Sequence, residues 1–227
     1  MLLCYITDRS QFTGSDCLRR EQLLEKIGEA ANAGVDYIQL REKDLSGRDL
    51  VALARAALAR IRQSSGGQNG SLKAGSRKPP TRLLINSRTD VALAAGADGV
   101  HLPSDDLSPV QVRAIWKGSG SPSERAASPI ITVACHSMED VARAAEESAD
   151  FAIFAPVFEK KGGRPTGLDA LRAACGQRIP VIALGGVSLE NAASCEEAGA
   201  AGVAGIRLFQ EYDIGLVASR LIRQSRF

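Results

Sequence analysis

Gly96-Ala97-Asp98-Gly99-Val100-His101-Leu102 is the stretch that decides the fold. An alanine-rich, helix-like segment ends in a small residue and turns at once into an apolar run. The same turn recurs as Gly34-Val35-Asp36-Tyr37-Ile38-Gln39-Leu40, Ser148-Ala149-Asp150-Phe151-Ala152-Ile153-Phe154 and Gly199-Ala200-Ala201-Gly202-Val203-Ala204-Gly205. Glycine, or a small substitute, suits the left-handed position just past a helix, and the run that follows has the length of a buried strand. Each copy is therefore an α-to-β turn. Successive copies lie about 50 to 60 residues apart, too long for one βα unit and right for two, so they mark every second strand of an α/β array. This periodicity predicts a closed single-domain (β/α)8 TIM barrel.

Filling in the alternate strands places eight of them, at Leu2–Ile6, Tyr37–Leu40, Leu83–Asn86, Gly99–Leu102, Ile130–Cys135, Phe151–Phe154, Val181–Leu184 and Gly202–Gly205. Helices are expected over Arg20–Ala33, Arg48–Gln63, Arg88–Ala95, Pro109–Trp116, Met138–Glu147, Leu168–Cys175, Leu189–Ala198 and Ile214–Gln224, with Ser108 and Ser188 as capped starts. Two low-complexity insertions, about 64–80 and 117–129, read as mobile loops, each between a helix and a strand and so at the N-terminal mouth.

A chain of 227 residues that is 44% hydrophobic is long enough for one sizeable core, so a single domain over 1–227 is expected. A net charge of +2 and 4% aromatics provide neither a basic footprint nor a stacking platform, which argues against nucleic acid as a partner. No apolar stretch reaches spanning length and the N-terminus reads as a short strand, so a cytoplasmic protein without a membrane partner is expected. Five scattered cysteines without CxxC spacing indicate neither a disulfide framework nor a zinc site.

Strands buried on both faces exclude polar residues, so polar side chains collecting at strand ends need a separate account. Gln39, Arg41 and Lys43 follow the second strand, alternating so that all three share one side; Arg41 offers a fork for an anion and Lys43 a point charge. The same residues also read as part of a solvated charge run, Arg41-Glu42-Lys43-Asp44. Asn86 and Ser87 close the third strand. Asp105 is a candidate metal ligand, although Asp105 and Asp106 also sit where acidic residues favour the start of the next helix. His101 reads as a core histidine or a site group. His136, beside Cys135 at the end of the fifth strand, is the better candidate acid or base, with a helix-start role as the alternative. After the sixth strand come Lys160 and Arg164. Gly167, Gly185 and Gly186 either make tight turns or present amides to a phosphate, the second reading strengthened by Arg207 after the neighbouring eighth strand. In a barrel all of these converge on one rim.

Tyr5-Ile6-Thr7-Asp8, Ile38-Gln39-Leu40-Arg41-Glu42-Lys43, Leu84-Ile85-Asn86-Ser87-Arg88-Thr89-Asp90-Val91-Ala92-Leu93, Gly96–Leu102, Pro156-Val157-Phe158 and Ile182-Ala183-Leu184-Gly185-Gly186-Val187 together resemble the thiamin phosphate synthase superfamily, which includes the TenI-type thiazole tautomerases. The resemblance runs from Tyr5 to about Phe209. It implies a TIM barrel whose ligands are a thiazole phosphate and, in synthases, a pyrimidine diphosphate with Mg2+ on the departing pyrophosphate. It implies that Gln39, Arg41, Lys43 and Asn86 face the diphosphate and pyrimidine, that Asp105 is a metal ligand, and that Gly167, Gly185 and Gly186 cradle the thiazole phosphate.

Ser87 stands where synthases carry an aspartate, their other magnesium ligand; Ala134 stands for their fifth-strand serine; and Glu159-Lys160-Lys161-Gly162-Gly163-Arg164 replaces their threonine-rich loop. His101-Leu102-Pro103-Ser104 and Val157-Phe158-Glu159 lean toward the tautomerases, whose proton transfer requires an acid or base and no metal cofactor. The tautomerase histidine falls at Pro156, which leaves His136 or Cys135 to act. The expectation is a thiamin-pathway enzyme, possible as a homo-oligomer, with TenI-like handling of a thiazole phosphate ahead of thiamin phosphate synthesis. A non-catalytic thiazole-phosphate or thiamin-phosphate binding protein is the third reading.

Overall fold

A computed structural model describes residues 1–66, 79–119, 128–158 and 164–224. Eight parallel strands, β1 (Leu2–Ile6), β2 (Tyr37–Leu40), β3 (Arg82–Asn86), β4 (Gly99–Leu102), β5 (Ile130–Cys135), β6 (Phe151–Phe154), β7 (Val181–Ala183) and β8 (Gly202–Gly205), pair in chain order. β8 also pairs with β1, which closes the barrel. The helices are α1 (Asp16–Asn32), α2 (Gly47–Gly66), α3 (Thr89–Ala95), α4 (Pro109–Gly118), α5 (Met138–Glu146), α6 (Gly167–Cys175), α7 (Ala192–Glu197), α8 (Arg207–Gln210) and α9 (Ile214–Gln224). The predicted TIM barrel is the observed fold. Among the described residues no helix is long and apolar enough to cross a membrane.

Differences from the expected elements lie at element ends, β3 starting at Arg82 and β7 ending at Ala183, and in the added short helix α8. α1 starts at Asp16 rather than Arg20, because Ser15 accepts the Leu18 amide and Asp16 favours the helix start. α7 starts at Ala192 rather than Leu189: the Ser188 amide donates to Asn191 Oδ1, so 188–191 is a turn instead of a capped helix start. The eighth strand ends at Gly205 and the chain bends into the single turn of α8, which carries Arg207. Of the two insertions, 64–66 continue α2 and 117–118 continue α4, while 67–78 and 120–127 lie outside the described residues.

The repeated turn has a specific hydrogen-bonding role. The Asp36 amide donates to Leu3 O while its carboxylate accepts the Leu3 amide; Asp98 does the same with Leu83, and Asp150 with Ile131. Each aspartate thus ties the base of one even-numbered strand to the odd-numbered strand before it. In the fourth copy the Ala201 amide still donates to Val181 O, but alanine has no acceptor to return.

The residue after each of these positions points into the barrel and builds its floor. Tyr37, Gly99, Phe151 and Gly202 come from the four even strands, two large and two without a side chain, as the alternating layers of such barrels require. The rings of Tyr37 and Phe151, from opposite strands, meet across the interior with centroids 5.2 Å apart. A Cβ on Gly99 would lie 1.9 Å from the Ile130 carbonyl oxygen, so only glycine fits there. Above the floor, Cys4, Ile6, Ile153, Ile182 and Ala204 pack as an inner cluster, with Leu184 and Ile206 against it. The larger core, which includes Leu3, Ile27, Ile38, Leu53, Ile85, Val100 and Leu171, lies between strands and helices.

Candidate active site at the C-terminal mouth

Inward-facing residues divide the upper barrel into unlike halves. From β6 through β8 to β1 the lining is Ile153, Ile182, Leu184, Ala204, Ile206 and Ile6. From β2 to β5 it is polar. Gln39 is buried and donates through Nε2 to Asn86 Oδ1 at 2.9 Å. That bond leaves Gln39 Oε1 as an acceptor and Asn86 Nδ2 as a donor. His101 is buried with Nδ1 2.9 Å from Thr132 Oγ1. Burial, and secondarily the nearby Arg41 charge, hold its imidazole down at about 4, so it is neutral and matches the core-histidine reading.

Arg41 is half-buried at the end of β2, and among the described residues its guanidinium has no hydrogen-bonding or ionic partner. Lys43 is exposed and likewise unpaired among them. The acidic members of the run are engaged elsewhere. Glu42 is buried, accepting from Thr7 Oγ1 at 2.6 Å and from Arg9 Nη1 at 3.0 Å, and burial raises its carboxyl above the ordinary range. Asp44 takes both Arg9 Nη atoms at 2.6 Å, and its carboxyl is lowered mainly by that pair. Arg41-Glu42-Lys43-Asp44 is therefore not a uniformly solvated charge run.

Beside the ends of β2 and β3 opens a cavity of about 290 Å³, lined by Glu42, Lys43, Asn86, Ser87, Arg88 and Pro103 among others. Ser87 sits in the left-handed region at φ 66° and donates its hydroxyl to Asp106 Oδ2, while the Leu107 amide donates to Asp106 Oδ1 at 2.7 Å. The carboxylate brought to the Asn86–Ser87 corner is thus Asp106; the candidate ligand Asp105 is exposed. Among the described residues no three His, Cys, Asp or Glu side chains form a metal cage.

Across the mouth, β7 leads into Gly185 and Gly186, both left-handed at φ 99° and 68°. The Gly185 carbonyl accepts from the Phe158 amide and the Gly186 carbonyl from Asn191 Nδ2, whereas the two glycine amides meet no acceptor among the described residues. They are open donors above the apolar half. Gly167, also left-handed at φ 84°, differs: its amide donates to Val157 O at 3.0 Å. It makes the turn into α6 and does not present its own amide, contrary to the sequence expectation. Arg207 is exposed at the start of α8, and Arg164 is exposed ahead of α6; Lys160 lies outside the described residues.

His136 follows β5 at the rim, with Nδ1 donating to Ala155 O at 2.7 Å and its amide to Asp140 Oδ2. That carbonyl fixes the proton on Nδ1 and leaves Nε2 of the neutral ring as the acceptor, beside the Pro156 position. Cys135 points the other way. It is buried in the layer under the helices, its thiol donates to the Val133 carbonyl at 3.6 Å, and burial pushes it up to about 12. A thiol packed there does not open onto the mouth, which leaves His136 as the residue of the pair that stands at the rim.

Sequence reading gave no site role to Arg9 or Thr7 and placed Asp106 at the helix start. The polar triplet Thr7-Asp8-Arg9 directly after a buried strand carried the same signal that marked Gln39 and Asn86. Asp106 was assigned to the helix start, where only its spacing from Ser87 in the fold distinguishes it from Asp105.

The profile of the thiamine monophosphate synthase family matches residues 3–209. A Geobacter sulfurreducens protein, provisionally named a thiamine-phosphate synthase, is 41% identical over 207 residues, 89% of this chain and 83% of its own. A thiamine-phosphate synthase from Chlorobium luteolum is 36% identical, covering 89% of this chain and 82% of its own. Among solved structures, a thiamine phosphate pyrophosphorylase from Pyrococcus furiosus superposes with a TM-score of 0.75 at 25% identity, over 98% of this chain and 94% of that one. These names favour the synthase alternative over the tautomerase expectation.

Proposed function

Because the chain belongs to the thiamine monophosphate synthase family, we propose that it is a cytoplasmic thiamin-phosphate synthase, joining a pyrimidine diphosphate to a thiazole phosphate with release of pyrophosphate. The observation that carries this reading is the divided mouth: unpaired Arg41 and Lys43 on the polar side, open Gly185 and Gly186 amides on the apolar side. Two anion-seeking ends on one rim suit a reaction between two phosphorylated heterocycles; isomerising a single thiazole phosphate requires one.

In this reading Gln39 Oε1 accepts from the exocyclic amine of the pyrimidine and Asn86 Nδ2 donates to its ring nitrogen, a complementary pair held in register by the bond between them. Arg41 and Lys43 hold the diphosphate, whose charge grows as the bond to the pyrimidine methylene breaks; donors aimed at developing charge contribute most to such a step. The thiazole ring lies on the isoleucine side and its phosphate on the glycine amides, with a smaller contribution from exposed Arg207.

One carboxylate and one hydroxyl, Asp106 and Ser87, fit Mg2+ in the way that ion is commonly held, with substrate phosphates completing its shell. When bound there, the ion supplies charge neutralisation for the leaving pyrophosphate. The chain's own part is to hold Asp106 at the corner through the Leu107 amide.

A second reading, tautomerase activity, is favoured by one observation, the fixed His136 tautomer beside Pro156. Incubation of the pure protein with pyrimidine diphosphate, thiazole phosphate and magnesium, following pyrophosphate, separates the readings when run beside isomerisation of the thiazole carboxylate phosphate. Metal-dependent pyrophosphate release supports the synthase. Isomerisation alone, or tight binding with neither product, overturns it.

A further inference from the structure

Counted along the chain, Arg41-Glu42-Lys43-Asp44 is neutral, and an extended neutral run has no reason to attract an anion. In three dimensions the run is not neutral where it matters. Arg9, from the 3-10 turn Arg9–Gln11 after β1, has a side chain only 8% exposed and engages both carboxylates. Its Nη1 and Nη2 form a fork on Asp44, Nη1 also reaches Glu42 Oε2, and Nε takes Asp16 at 2.9 Å. The Arg9 amide donates to both Glu42 oxygens at 3.3 and 3.2 Å. Thr7 completes the link: its hydroxyl donates to Glu42 and accepts the Arg41 amide at 2.9 Å. The Asp16 carboxylate is in turn shared with Arg20 at 2.8 Å.

We propose that Arg9 is a positioning residue that holds Glu42 and Asp44 on the β1 side of the strand end and so leaves Arg41 and Lys43 as uncompensated cations at the mouth. Arg9 touches no substrate. It acts by keeping two carboxylates from pairing with the cations that alternate with them, and Thr7 ties the Arg41 backbone to the same anchor. A planar fork is required, because three carboxylates at three guanidinium nitrogens exceed what an ammonium point charge can orient. The identity of the anion as a diphosphate rests on the synthase reading; the separation of charge does not.

The test is calorimetric binding of inorganic pyrophosphate to the full chain at low salt, with melting temperature recorded for every variant. Arg9→Gln frees Asp44 and removes the guanidinium from Glu42, which keeps Thr7 Oγ1 and the residue 9 amide, and is expected to weaken pyrophosphate binding about tenfold, since a carboxylate moved to within ion-pair distance cancels a neighbouring cation. The triple variant Arg9→Gln/Glu42→Gln/Asp44→Asn is expected to recover to within about threefold of wild type, because no carboxylate remains to compete. A purely structural Arg9 predicts the reverse, the triple variant binding no better than the single. Should Arg9→Gln fail to fold, Arg9→Lys is expected to show an intermediate loss of about threefold that shrinks as salt screens the freed charge. Unchanged affinity in a folded Arg9→Gln protein, or in Arg9→Lys where only that variant folds, overturns the proposal, as does a triple variant that stays weak. Wild-type protein that binds no pyrophosphate at low salt overturns the proposal, because uncompensated Arg41 and Lys43 require that an anion bind; pyrophosphate binding without metal-dependent pyrophosphate release in the synthase assay overturns the synthase reading alone.

Discussion

The Ser87 hydroxyl donates to the Asp106 carboxylate across the corner between the end of β3 and the segment leading into α4. That contact makes residue 87 the natural second ligand position for a cation on Asp106. Its left-handed φ of 66° is one that aspartate tolerates better than most residues. Ser87→Asp is therefore expected to set two carboxylates against each other, costing roughly 1 to 2 kcal/mol without metal at the intermediate dielectric of such a rim. Magnesium should restore the melting temperature and raise metal-dependent pyrophosphate release above wild type. A Ser87→Asp melting curve that ignores magnesium would remove Asp106 from the metal assignment.

Two separate anion ends predict two separable losses. Arg41→Ala should weaken inorganic pyrophosphate binding by about 1.5 to 3 kcal/mol, the range for a hydrogen bond to a charged group, and leave thiazole phosphate binding nearly unchanged. Gly186→Ala should do the opposite, and should also cost about 1 to 2 kcal/mol of stability, because a Cβ is strained at a left-handed position. Arg207 is exposed, so Arg207→Ala should cost below about 1 kcal/mol of thiazole phosphate affinity. Calorimetry with each ligand on each variant checks the pattern; parallel losses for both ligands in Arg41→Ala would contradict two subsites.

The fold was legible because its signal repeats: Gly34, Gly96, Ser148 and Gly199 each end a helix at the same distance before a strand, and a single pattern read four times survives local noise. Gln39, Arg41 and Asn86 were legible because polar side chains are out of place in strands buried on both faces. Cys135 was misread for the same reason in reverse: nothing in a linear order distinguishes the inward from the outward residue of a strand end, and one step of alternation separates buried Cys135 from rim residue His136. Arg9 and Asp106 depend on partners 33 to 35 and 19 residues away, and pairings at such separations leave no local periodicity.

The aspartate of the repeated turn is an experiment already run three times by the chain. Asp36, Asp98 and Asp150 each accept a strand-base amide, at 2.8, 2.9 and 2.7 Å, and the fourth position is Ala201. Asp98→Ala should lower stability by about 1 to 3 kcal/mol, since it leaves the amide of buried Leu83 unpaired. Ala201→Asp should raise stability by about 0.5 to 1.5 kcal/mol by giving the Val181 amide the acceptor that the other three copies provide. Denaturant midpoints of the two variants decide it. A destabilised Ala201→Asp protein would mean that the fourth copy has lost the geometry along with the side chain.

His101 ties the site to the pH dependence of the fold. Its imidazole is buried and held at about 4 by burial first and the Arg41 charge second. In the unfolded chain an imidazole takes up its proton near 6.5, so between these values the unfolded state binds more protons than the folded one. The neutral histidine's contribution is thus fully present above about 6.5 and is lost as pH falls toward about 4, a change of roughly 3 kcal/mol across that window. Glu42, whose carboxyl is raised by burial, runs the other way: its contribution is present at low pH and lost as pH rises through its folded value. Wild type alone mixes the two, so the measurement is the difference in unfolding free energy between wild type and His101→Gln as pH is lowered. That difference should shrink by most of the stated amount. Arg41→Ala should lift the His101 imidazole above its wild-type value, read from its ring-proton shifts, because a like charge has been removed. Parallel pH profiles for wild type and His101→Gln would place the histidine in contact with solvent and separate it from the Arg41 side of the mouth.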